Sequence, residues 1–171
     1  MNKVLILSDS HGLKDDIKMI IQRHEANDVI HCGDSELDYD AEELTQVIKV
    51  RGNCDFDQKF PDDQIKEIGD LKIFITHGHL YDVKMNFMRL AYRAKEVGAN
   101  VICFGHTHIA GAEKIENQLF INPGSIRMPR NRVEPTYAML EWETMQLIKV
   151  NFYTVNGEFV EDLSCEVSLK S

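Results

Sequence analysis

The stretch VLILSDSHG, residues 4–12, decides the fold, because an unbroken apolar run gives way at once to polar side chains and glycine. A short continuous apolar run is typical of a strand that is buried on both faces, as in parallel sheets. Ser8–Gly12 ends the run, and the following residues 13–26 place isoleucines at helical spacing. We therefore interpret this part of the chain as a strand, a polar loop and a helix, which together make one βα unit.

The same pattern repeats along the chain. Apolar runs at Asp28–Cys32, Gln46–Val50 and Asn100–Phe104 each close on a loop that contains glycine. Past residue 110 the chain becomes mainly β, and Asn156-Gly157 is a strong hairpin signal. No linker or repeat interrupts it, so the sequence predicts one α/β domain over residues 1–171, with two packed sheets and helices outside. The other predicted elements are a weak helix over Glu36–Leu44, a helix over Val83–Val97, and strands over Gln64–Ile68, Leu71–Thr76, Gly111–Glu116, Gln118–Asn122, Thr136–Trp142, Met145–Tyr153 and Glu158–Ser168.

The composition excludes several classes of protein. The 171 residues carry 19 Lys and Arg against 28 Asp and Glu, which is a formal net charge of −9. This acidic balance argues against the nucleic-acid backbone as a general partner, because that partner requires an excess of cations. The apolar content of 43% is too high for a disordered chain, and no apolar run approaches the roughly 20 residues of a membrane span. With four scattered cysteines, no CxxC pair and no signal-peptide pattern, we expect reduced thiols and a cytoplasmic protein without membrane contact.

Side chains that bind metals follow five of the apolar strands, at the point where each strand ends. In α/β folds the loops after the carboxyl ends of the strands converge on one crevice, where ligands bind. Turn preference explains the glycines and acids in these loops, but it does not explain four histidines in the same position. Oxygen and nitrogen ligands without thiolate suit Mn²⁺, Fe or Zn²⁺, and seven of them suit two ions about 3.5–4 Å apart that share a carboxylate. The candidate ligands are Asp9, His11, Asp34, Asn53, His77, His106 and His108.

The order of these motifs, DSH at 9–11, GD at 33–34, GN at 52–53, His77 and GHTH at 105–108, resembles the calcineurin-like metallophosphoesterase superfamily. The GNCD, THGH and NPGS segments are most similar to its small bacterial and archaeal phosphodiesterases of the YfcE/YsnB type. The resemblance covers nearly the whole chain and implies a four-layer α/β/β/α sandwich of two mixed β-sheets flanked by helices. It also implies a dinuclear centre for the hydrolysis of phosphate esters, with two divalent metal ions that are expected to be Mn²⁺ and have Fe, Zn²⁺ or Ni²⁺ as alternatives.

The resemblance divides the candidate ligands between two ions that the Asp34 carboxylate bridges. Water held between the ions would lose a proton near neutral pH, and the resulting hydroxide would attack phosphorus in line. We therefore expect a phosphodiesterase for small phosphodiesters, with a phosphomonoesterase or a dinucleotide polyphosphate hydrolase as enzymatic alternatives. A non-catalytic interaction scaffold, similar to the eukaryotic retromer subunit, is the alternative of another class, which the complete ligand set disfavours. One ion would be held by Asp9, His11, Asp34 and His108, and the other by Asp34, Asn53, His77 and His106.

One position departs from the pattern of the superfamily. Many members have a histidine after the GN motif that is thought to protonate the leaving group, whereas this chain has Cys54 there. A thiol is a poor general acid at neutral pH, so a small packing residue is the favoured interpretation of Cys54. His79, two residues after His77, is the nearest alternative acid. The sequence therefore predicts either a different acid or a preference for esters with good leaving groups.

Three further residues have two interpretations each. Arg127 and Arg130 could contact a substrate phosphate, because arginine suits bidentate recognition, or they could simply lie on the surface. His31, near the end of a strand, could support a metal ligand or be an ordinary buried and hydrogen-bonded histidine.

Since two divalent ions would add +4 to the net charge of −9, we also expect phosphate binding to depend on the metals. The resemblance also leaves room for a homo-oligomer.

Overall fold

The strands of the protein form two mixed β-sheets. The computed structural model describes residues 1–171. In chain order the strands are β1 (Asn2–Leu7), β2 (Asp28–His31), β3 (Ile48–Lys49), β4 (Asp63–Ile68), β5 (Leu71–Thr76), β6 (Val101–Cys103), β7 (Gly111–Ile115), β8 (Gln118–Asn122), β9 (Thr136–Trp142), β10 (Ile148–Thr154) and β11 (Phe159–Val167).

Each sheet contains both parallel and antiparallel pairs of strands. The first sheet has six strands in the order β11-β10-β9-β1-β2-β3, and the second has five in the order β4-β5-β6-β8-β7. Strand β1 pairs in parallel with β2, and β6 pairs in parallel with both β5 and β8. Strand β2 also pairs in parallel with β3 at the edge of the first sheet, whereas β9 beside β1, β4 beside β5 and β7 beside β8 are antiparallel. The βα units and the hairpins of the chain therefore contribute to the same sheets.

Burial shows how the layers stack. Val4 and Ile6 of β1 pack into the core between the two sheets, while Leu5 and Leu7 pack on the opposite face. Burial on both faces explains why this strand is an unbroken apolar run. Helix α1 (Asp15–Arg23) covers the outer face of the first sheet. A second helix, described next, covers the outer face of the second sheet. The predicted four-layer sandwich of the α/β class is therefore confirmed.

Helix α2 (Met88–Glu96) covers the outer face of the second sheet through Leu90 and Ala94. It is shorter than the helix predicted over Val83–Val97, because the chain makes a turn before it. The Met85 N–H donates to the Asp82 carbonyl at 2.9 Å, and Asn86 Oδ1 accepts the Met88 N–H at 3.0 Å. The side chain of Met85 is 83% exposed as a result and does not join the core. Neither helix of the protein is long and apolar enough to cross a membrane.

The acidic segment predicted as a weak helix over Glu36–Leu44 is mostly loop. Only its end, Glu42–Leu44, forms one turn of 3₁₀ helix. Its first part is held by backbone N–H groups that donate to side-chain carboxylates from further along the chain. The Glu36 N–H donates to Asp55 Oδ1 and the Tyr39 N–H donates to Asp57 Oδ2, both at 2.8 Å. Tertiary contacts therefore override the weak helical propensity of this segment.

A carboxylate connects the two sheets at the end opposite the strands' convergent loops. Asp70, in the turn between β4 and β5, accepts a hydrogen bond from Trp142 Nε1 at 3.1 Å. It also accepts the Met145 N–H at 2.8 Å. Trp142 ends β9 and is buried in the core between the sheets. One turn of the second sheet is thereby bonded to one turn of the first.

Candidate metal centre

The loops after the carboxyl ends of the strands meet in one place. The Asp9 N–H donates to the Gly33 carbonyl at 3.0 Å, which joins the loops after β1 and β2. The Gly105 N–H donates to the His77 carbonyl at 3.0 Å, which joins the loops after β6 and β5. The His106 N–H donates to Asp9 Oδ2 at 3.2 Å and so connects the two sheets. Side chains from distant parts of the sequence are therefore held around one point.

Asp9 lies at the middle of this convergence and is fully buried. Its Oδ1 atom is 3.2 Å from His108 Nε2 and 3.7 Å from His77 Nε2. The same oxygen is 3.8 Å from His11 Nε2. The other oxygen, Oδ2, accepts a hydrogen bond from the Ser8 hydroxyl at 2.6 Å. Oδ1 is therefore the oxygen that faces three imidazole rings.

Asp34 supplies a second buried carboxylate beside the first. Its Oδ2 atom is 3.2 Å from His77 Nε2, and its Oδ1 atom accepts the Cys54 N–H at 2.8 Å. Burial would raise the pKa of this carboxyl, but the contact with His77 and the Cys54 N–H hold the pKa well below its usual range. Asp34 is therefore an anion whose Oδ2 faces the same point as Asp9 Oδ1.

Two backbone carbonyls decide which nitrogens of the rings face the carboxylates. His77 Nδ1 lies 2.7 Å from the Cys32 carbonyl, and His108 Nδ1 lies 2.7 Å from the Met128 carbonyl. A carbonyl oxygen only accepts, so Nδ1 carries the hydrogen in both rings, and the neutral ring presents a lone pair at Nε2. These lone pairs face the two carboxylates, which are acceptors as well. Acceptors that converge in this way attract a cation.

Two unpartnered atoms test whether a metal ion fits. Asp9 Oδ1 and His77 Nε2 are buried and have no hydrogen-bond partner. An unpaired buried polar atom costs about 1–3 kcal/mol, and an ion bound by both atoms would remove that cost. Among the predicted ligands, atoms lie within 4.8 Å of one another in two groups, Asp9 with His11 and His108, and Asp9 with Asp34 and His77. A third group joins His11 to Glu36 and Cys54. The residues present therefore fit a divalent metal with mixed nitrogen and oxygen ligands.

The carboxylates also favour positive charge on the rings themselves. The Asp9 carboxylate beside Nε2 raises the pKa of His108. Burial lowers the pKa of His77, but the contact with Asp34 and the charge of Asp9 raise it by more. The electrostatics of the site thus favour a positive charge at its centre, which a proton or a metal ion can supply.

His106 and Asn53, the remaining predicted ligands, lie at the periphery of this cluster. The ring of His106 is centred 5.1 Å from the ring of His77. Burial and the neighbouring charges of His77 and Lys84 lower the pKa of His106 to about 4, so its ring is neutral and suited to bind a metal. The Asn53 side chain is exposed and donates weakly to Cys54 Sγ at 3.7 Å, which leaves its role as a ligand a prediction.

Backbone strain is concentrated at the predicted ligands. A positive φ is uncommon in residues other than glycine, although Asp, Asn and His adopt it more readily than most. Such residues cost about 1–3 kcal/mol each and cluster at functional sites. No local pattern of apolar spacing indicates these angles, so they were not predictable from the sequence. The strained ligands are Asp9 (φ 54°), His11 (42°), Asp34 (59°), His106 (69°) and His108 (63°).

Two acidic residues that the sequence analysis did not single out support the ligands. Glu36 Oε1 lies 3.1 Å from His11 Nδ1 and orients that ring. Asp55 is buried and its Oδ2 accepts the N–H groups of Asp34 at 2.8 Å and Gly52 at 2.7 Å. Carboxylates of this kind commonly position metal ligands. In the sequence, only the position of Asp55 at the end of the GNCD segment indicates that it lies near the site.

Cys54 and His79, the two candidate acids, lie on different sides of the cluster. Cys54 is exposed, and burial together with the charge of Asp34 raises the pKa of its thiol to about 11. His79 has its ring centred 5.4 Å from that of His77, and its Nδ1 is buried without a partner. Burial and the charge of His77 lower the pKa of His79. At neutral pH the thiol is therefore protonated and the imidazole is neutral.

The structure separates the interpretations of the remaining residues. Arg127 donates through its guanidinium to the His11 carbonyl, so it fixes a ligand loop. Arg130 is attached to the centre through its backbone, since its N–H donates to the His108 carbonyl at 3.0 Å. His31 is buried and hydrogen-bonded to Ser10 and to the Gly33 N–H. Burial lowers the pKa of His31 to about 4, so it is a neutral structural residue.

Two mixed sheets between helices, with a histidine and aspartate centre at the convergent loops, define a class of metal-binding α/β proteins. Comparison with known proteins identifies one family within this class. Residues 2–145 match the family model described as "Calcineurin-like phosphoesterase superfamily domain". The chain is 48% identical over 168 residues to the probable metallophosphoesterase YsnB of Bacillus subtilis, covering 97% of this chain and 99% of that protein. The chain therefore belongs to the calcineurin-like phosphoesterase superfamily and is a metallophosphoesterase.

Solved structures agree with this assignment. A predicted phosphoesterase from Streptococcus pneumoniae has a TM-score of 0.93 and 37% identity, over 98% of this chain and 97% of that chain. The Zn²⁺ complex of Vps29 from Entamoeba histolytica has a TM-score of 0.75 over 96% of this chain and 98% of that chain. At 20% identity the second likeness shows a shared fold only. The relationship to small YsnB-like phosphoesterases that the motifs predict is confirmed.

Proposed function

We propose that this protein is a phosphodiesterase that hydrolyses small phosphodiesters at a dinuclear centre, with Mn²⁺ as the expected metal. The observation that carries the proposal is the group of acceptors around Asp9 Oδ1. Two carboxylates and the Nε2 atoms of three histidines face one another there, and two of these atoms have no hydrogen-bond partner. Free thiols at all four cysteines are compatible with the proposed cytoplasmic location.

The proposed ligands divide into two sets that share Asp34. The contact between Asp34 Oδ2 and His77 Nε2, at 3.2 Å, supports the second set. The position of Asp9 Oδ1 between the two groups of histidines makes Asp9 a further candidate for a shared ligand. The first set is Asp9, His11, Asp34 and His108, and the second is Asp34, Asn53, His77 and His106.

Hydrolysis adds a water oxygen to phosphorus, breaks one ester P–O bond and leaves a proton to be delivered to the departing oxygen. When bound, divalent ions lower the pKa of water and offset the negative charge of the phosphate. The protein's own residues hold the ligands in place, since Glu36 and the Cys32 carbonyl fix the orientations of His11 and His77. The proton for the leaving oxygen would come from Cys54 Sγ, His79 or solvent. Neither side chain is a strong acid at neutral pH, so esters with good leaving groups are favoured.

Metal-dependent hydrolysis tests the proposal directly. We expect Mn²⁺ to stimulate hydrolysis of bis(p-nitrophenyl) phosphate more than that of p-nitrophenyl phosphate. Asp34→Ala should lower bound metal and reduce kcat/KM by at least about 100-fold. Asp162→Ala, which removes an exposed carboxylate paired with Arg132, is the matched control and should retain both. Absence of bound metal and of stimulated hydrolysis would contradict the proposal and favour an interaction role. Preference for the monoester would favour a phosphomonoesterase.

The identity of the proton donor has its own test. His79→Ala and Cys54→Ala should be compared on two diesters, one with p-nitrophenol and one with phenol as the leaving group. A residue that donates the proton should matter mainly for phenol, the poorer leaving group. Equal effects on both diesters would assign a positioning role to the residue, and no effect of either substitution would leave solvent as the donor.

A further inference from the structure

A groove of about 620 Å³ opens beside the loop that carries His106 and His108. Thr107, which lies between these histidines, lines the groove. Asn122 also lines it, and its Nδ2 donates to Thr107 Oγ1 at 3.0 Å. The groove therefore shares a wall with the candidate metal centre. Its volume is within the range of sites that bind small molecules, about 300–1,000 Å³.

The floor of the groove is aromatic and rigid. The ring of Phe87 stacks on the ring of Phe120, with centroids 5.4 Å apart and an interplanar angle of 19°. Its centroid is also 5.0 Å from that of Phe104, at an interplanar angle of 72°. Phe104 and Phe120 are buried in the core beneath α2, so this floor is held in place by the fold. A flat apolar group is the ligand chemistry that such a floor suits.

Two cations lie along the groove. Lys84 and Arg130 both line it, and neither takes part in an ion pair within the protein. The Arg130 N–H donates to the His108 carbonyl at 3.0 Å, and Lys84 lines the same groove as Thr107, the residue between His106 and His108. Both cations therefore lie on the groove that adjoins the predicted ligands. In a protein with a net charge of −9, these unpaired cations mark a position for an anion next to an apolar surface.

We propose that this groove binds the organic group of the substrate and selects phosphodiesters that carry a flat aromatic ester group. The aromatic group packs against Phe87, whose ring is held from beneath by the buried rings of Phe104 and Phe120. Its phosphate lies between Lys84, Arg130 and the metal centre. This inference rests on the proposed function, because it assigns a substrate class to the same site.

Gly111 offers a substitution that fills the groove. It lies on β7 opposite Asn122, and Glu113 on the same strand lies opposite Phe120. Because alternate residues of a strand share a face, a side chain at position 111 would point to the side of Asn122 and Phe120. A Cβ atom built there meets no heavy atom within 4 Å. Gly111→Leu should therefore occupy the groove without displacing the backbone.

Equilibrium binding distinguishes the aromatic group from the phosphate. Calorimetry on the Mn²⁺-loaded protein would compare diphenyl phosphate with dimethyl phosphate. We expect diphenyl phosphate to bind about tenfold more tightly, and Gly111→Leu to bring the ratio of the two affinities close to one. Lys114 lies on the same strand but on its other face. Lys114→Leu should therefore keep the ratio of the two affinities at the value of the unmodified protein. Lys84→Gln, at an exposed position, should weaken both ligands by a similar factor.

The outcomes separate this inference from the proposed function. Equal affinities for the two phosphates, or a ratio that Gly111→Leu leaves unchanged in a folded protein, would overturn the groove as the site of the aromatic group. Should Gly111→Leu fail to fold, an unchanged affinity for diphenyl phosphate in Lys84→Gln would overturn it. A selective and Gly111-dependent affinity without any hydrolysis of bis(p-nitrophenyl) phosphate would support the groove and contradict the phosphodiesterase.

Discussion

At the scale of single residues, the candidate centre depends on atoms that have no hydrogen-bond partner and on glycines that let them approach. Asp9 Oδ1 and His77 Nε2 are buried and unpaired. Gly52 lies against Asp34, and a Cβ atom at position 52 would overlap Asp34 Oδ1. The glycine of the GN motif is therefore required by close packing against a predicted ligand rather than by a turn conformation.

Substitution of Gly52 tests this close packing. In Gly52→Ala the added methyl group would push the Asp34 carboxylate out of position, and we expect Mn²⁺ affinity to fall by about 10–100-fold. Calorimetric titration with Mn²⁺ measures it. Gly111→Ala, where the added Cβ meets open space, is the matched control for metal affinity. An unchanged affinity in Gly52→Ala would show that Asp34 does not need this position.

His31 makes the stability of the fold depend on pH. Burial lowers its pKa from 6.5 to about 4, so the folded protein keeps the ring neutral while the unfolded chain protonates it below about pH 6.5. The contribution of the neutral His31 ring to the free energy of unfolding is therefore complete above pH 6.5, and it is lost as the pH falls toward 4. Between pH 6.5 and 5 this one residue should account for about 2 kcal/mol.

Urea unfolding at several pH values measures the contribution of His31. His31→Gln has no titratable group, so its stability should fall less on acidification than that of the unmodified protein. The difference between the two slopes isolates His31 from other groups that titrate in this range. Parallel slopes for the two proteins would contradict a buried neutral His31.

At the scale of elements, a lysine of β3 helps Asp55 and Asp57 to hold the long segment between β2 and β3, which forms no α-helix. Lys49 of β3 is nearly buried, and its Nζ donates to the Tyr39 carbonyl at 2.7 Å and to the Leu44 carbonyl at 3.0 Å. The ammonium also lies 4.2 Å from the centre of the Tyr39 ring. A strand of only two residues thus fastens the segment that carries Glu36.

Removal of the Lys49 charge should loosen this segment. Lys49→Met keeps the length of the side chain but leaves both carbonyls without their donor, so we expect a loss of about 1–3 kcal/mol in the free energy of unfolding. Chemical denaturation measures it. Lys59→Met removes an exposed ammonium that contacts Asp40, and it should change stability by no more than about 0.5 kcal/mol. Equal effects of the two substitutions would contradict the fastening role of Lys49.

The elements also show how far sequence patterns extend. The β4–β5 hairpin and strands β8 and β9 were predicted closely, because hairpin turns and alternating or continuous apolar runs are local signals. The predicted helix over Val83–Val97 begins only at Met88, since Asn86 Oδ1 bonds the Met88 N–H and stops the helix from extending backward. The segment Glu36–Leu44 forms only the turn Glu42–Leu44. Its backbone is bonded to Asp55 and Asp57, carboxylates 19 and 18 residues further along the chain, and no local pattern indicates such contacts.

At the scale of the whole molecule, the two sheets must keep a fixed relation, because the candidate ligands come from both. Asp9 and Asp34 follow strands of the first sheet, whereas His77 and His106 follow strands of the second. The core between the sheets supplies most of the contact, through residues such as Val4 and Ile73. Asp70 adds directed bonds from the second sheet to Trp142 Nε1 and to the Met145 N–H of the first.

Loss of the Asp70 carboxylate should weaken the whole fold. Asp70→Ala leaves two donors without an acceptor, and we expect about 1–3 kcal/mol of destabilisation. For a protein of this size each kcal/mol corresponds to about 2–4 °C in Tm. Thermal unfolding measures it, with Asp38→Ala as a control at an exposed carboxylate. A Tm equal to that of the control would show that the core alone fixes the relation of the sheets.

The sequence by itself determined the α/β class, the two-sheet sandwich and the family, because apolar runs, turns and the order of polar motifs after strands are local features of the chain. It also indicated which side chains could meet. Only the tertiary structure decided how they meet: Asp9 Oδ1 between three imidazoles, Asn53 at the periphery, Glu36 and Asp55 in support, and an aromatic groove beside His106. These arrangements depend on packing and hydrogen bonds between residues far apart in sequence, and such contacts leave no mark on the spacing of residues along the chain.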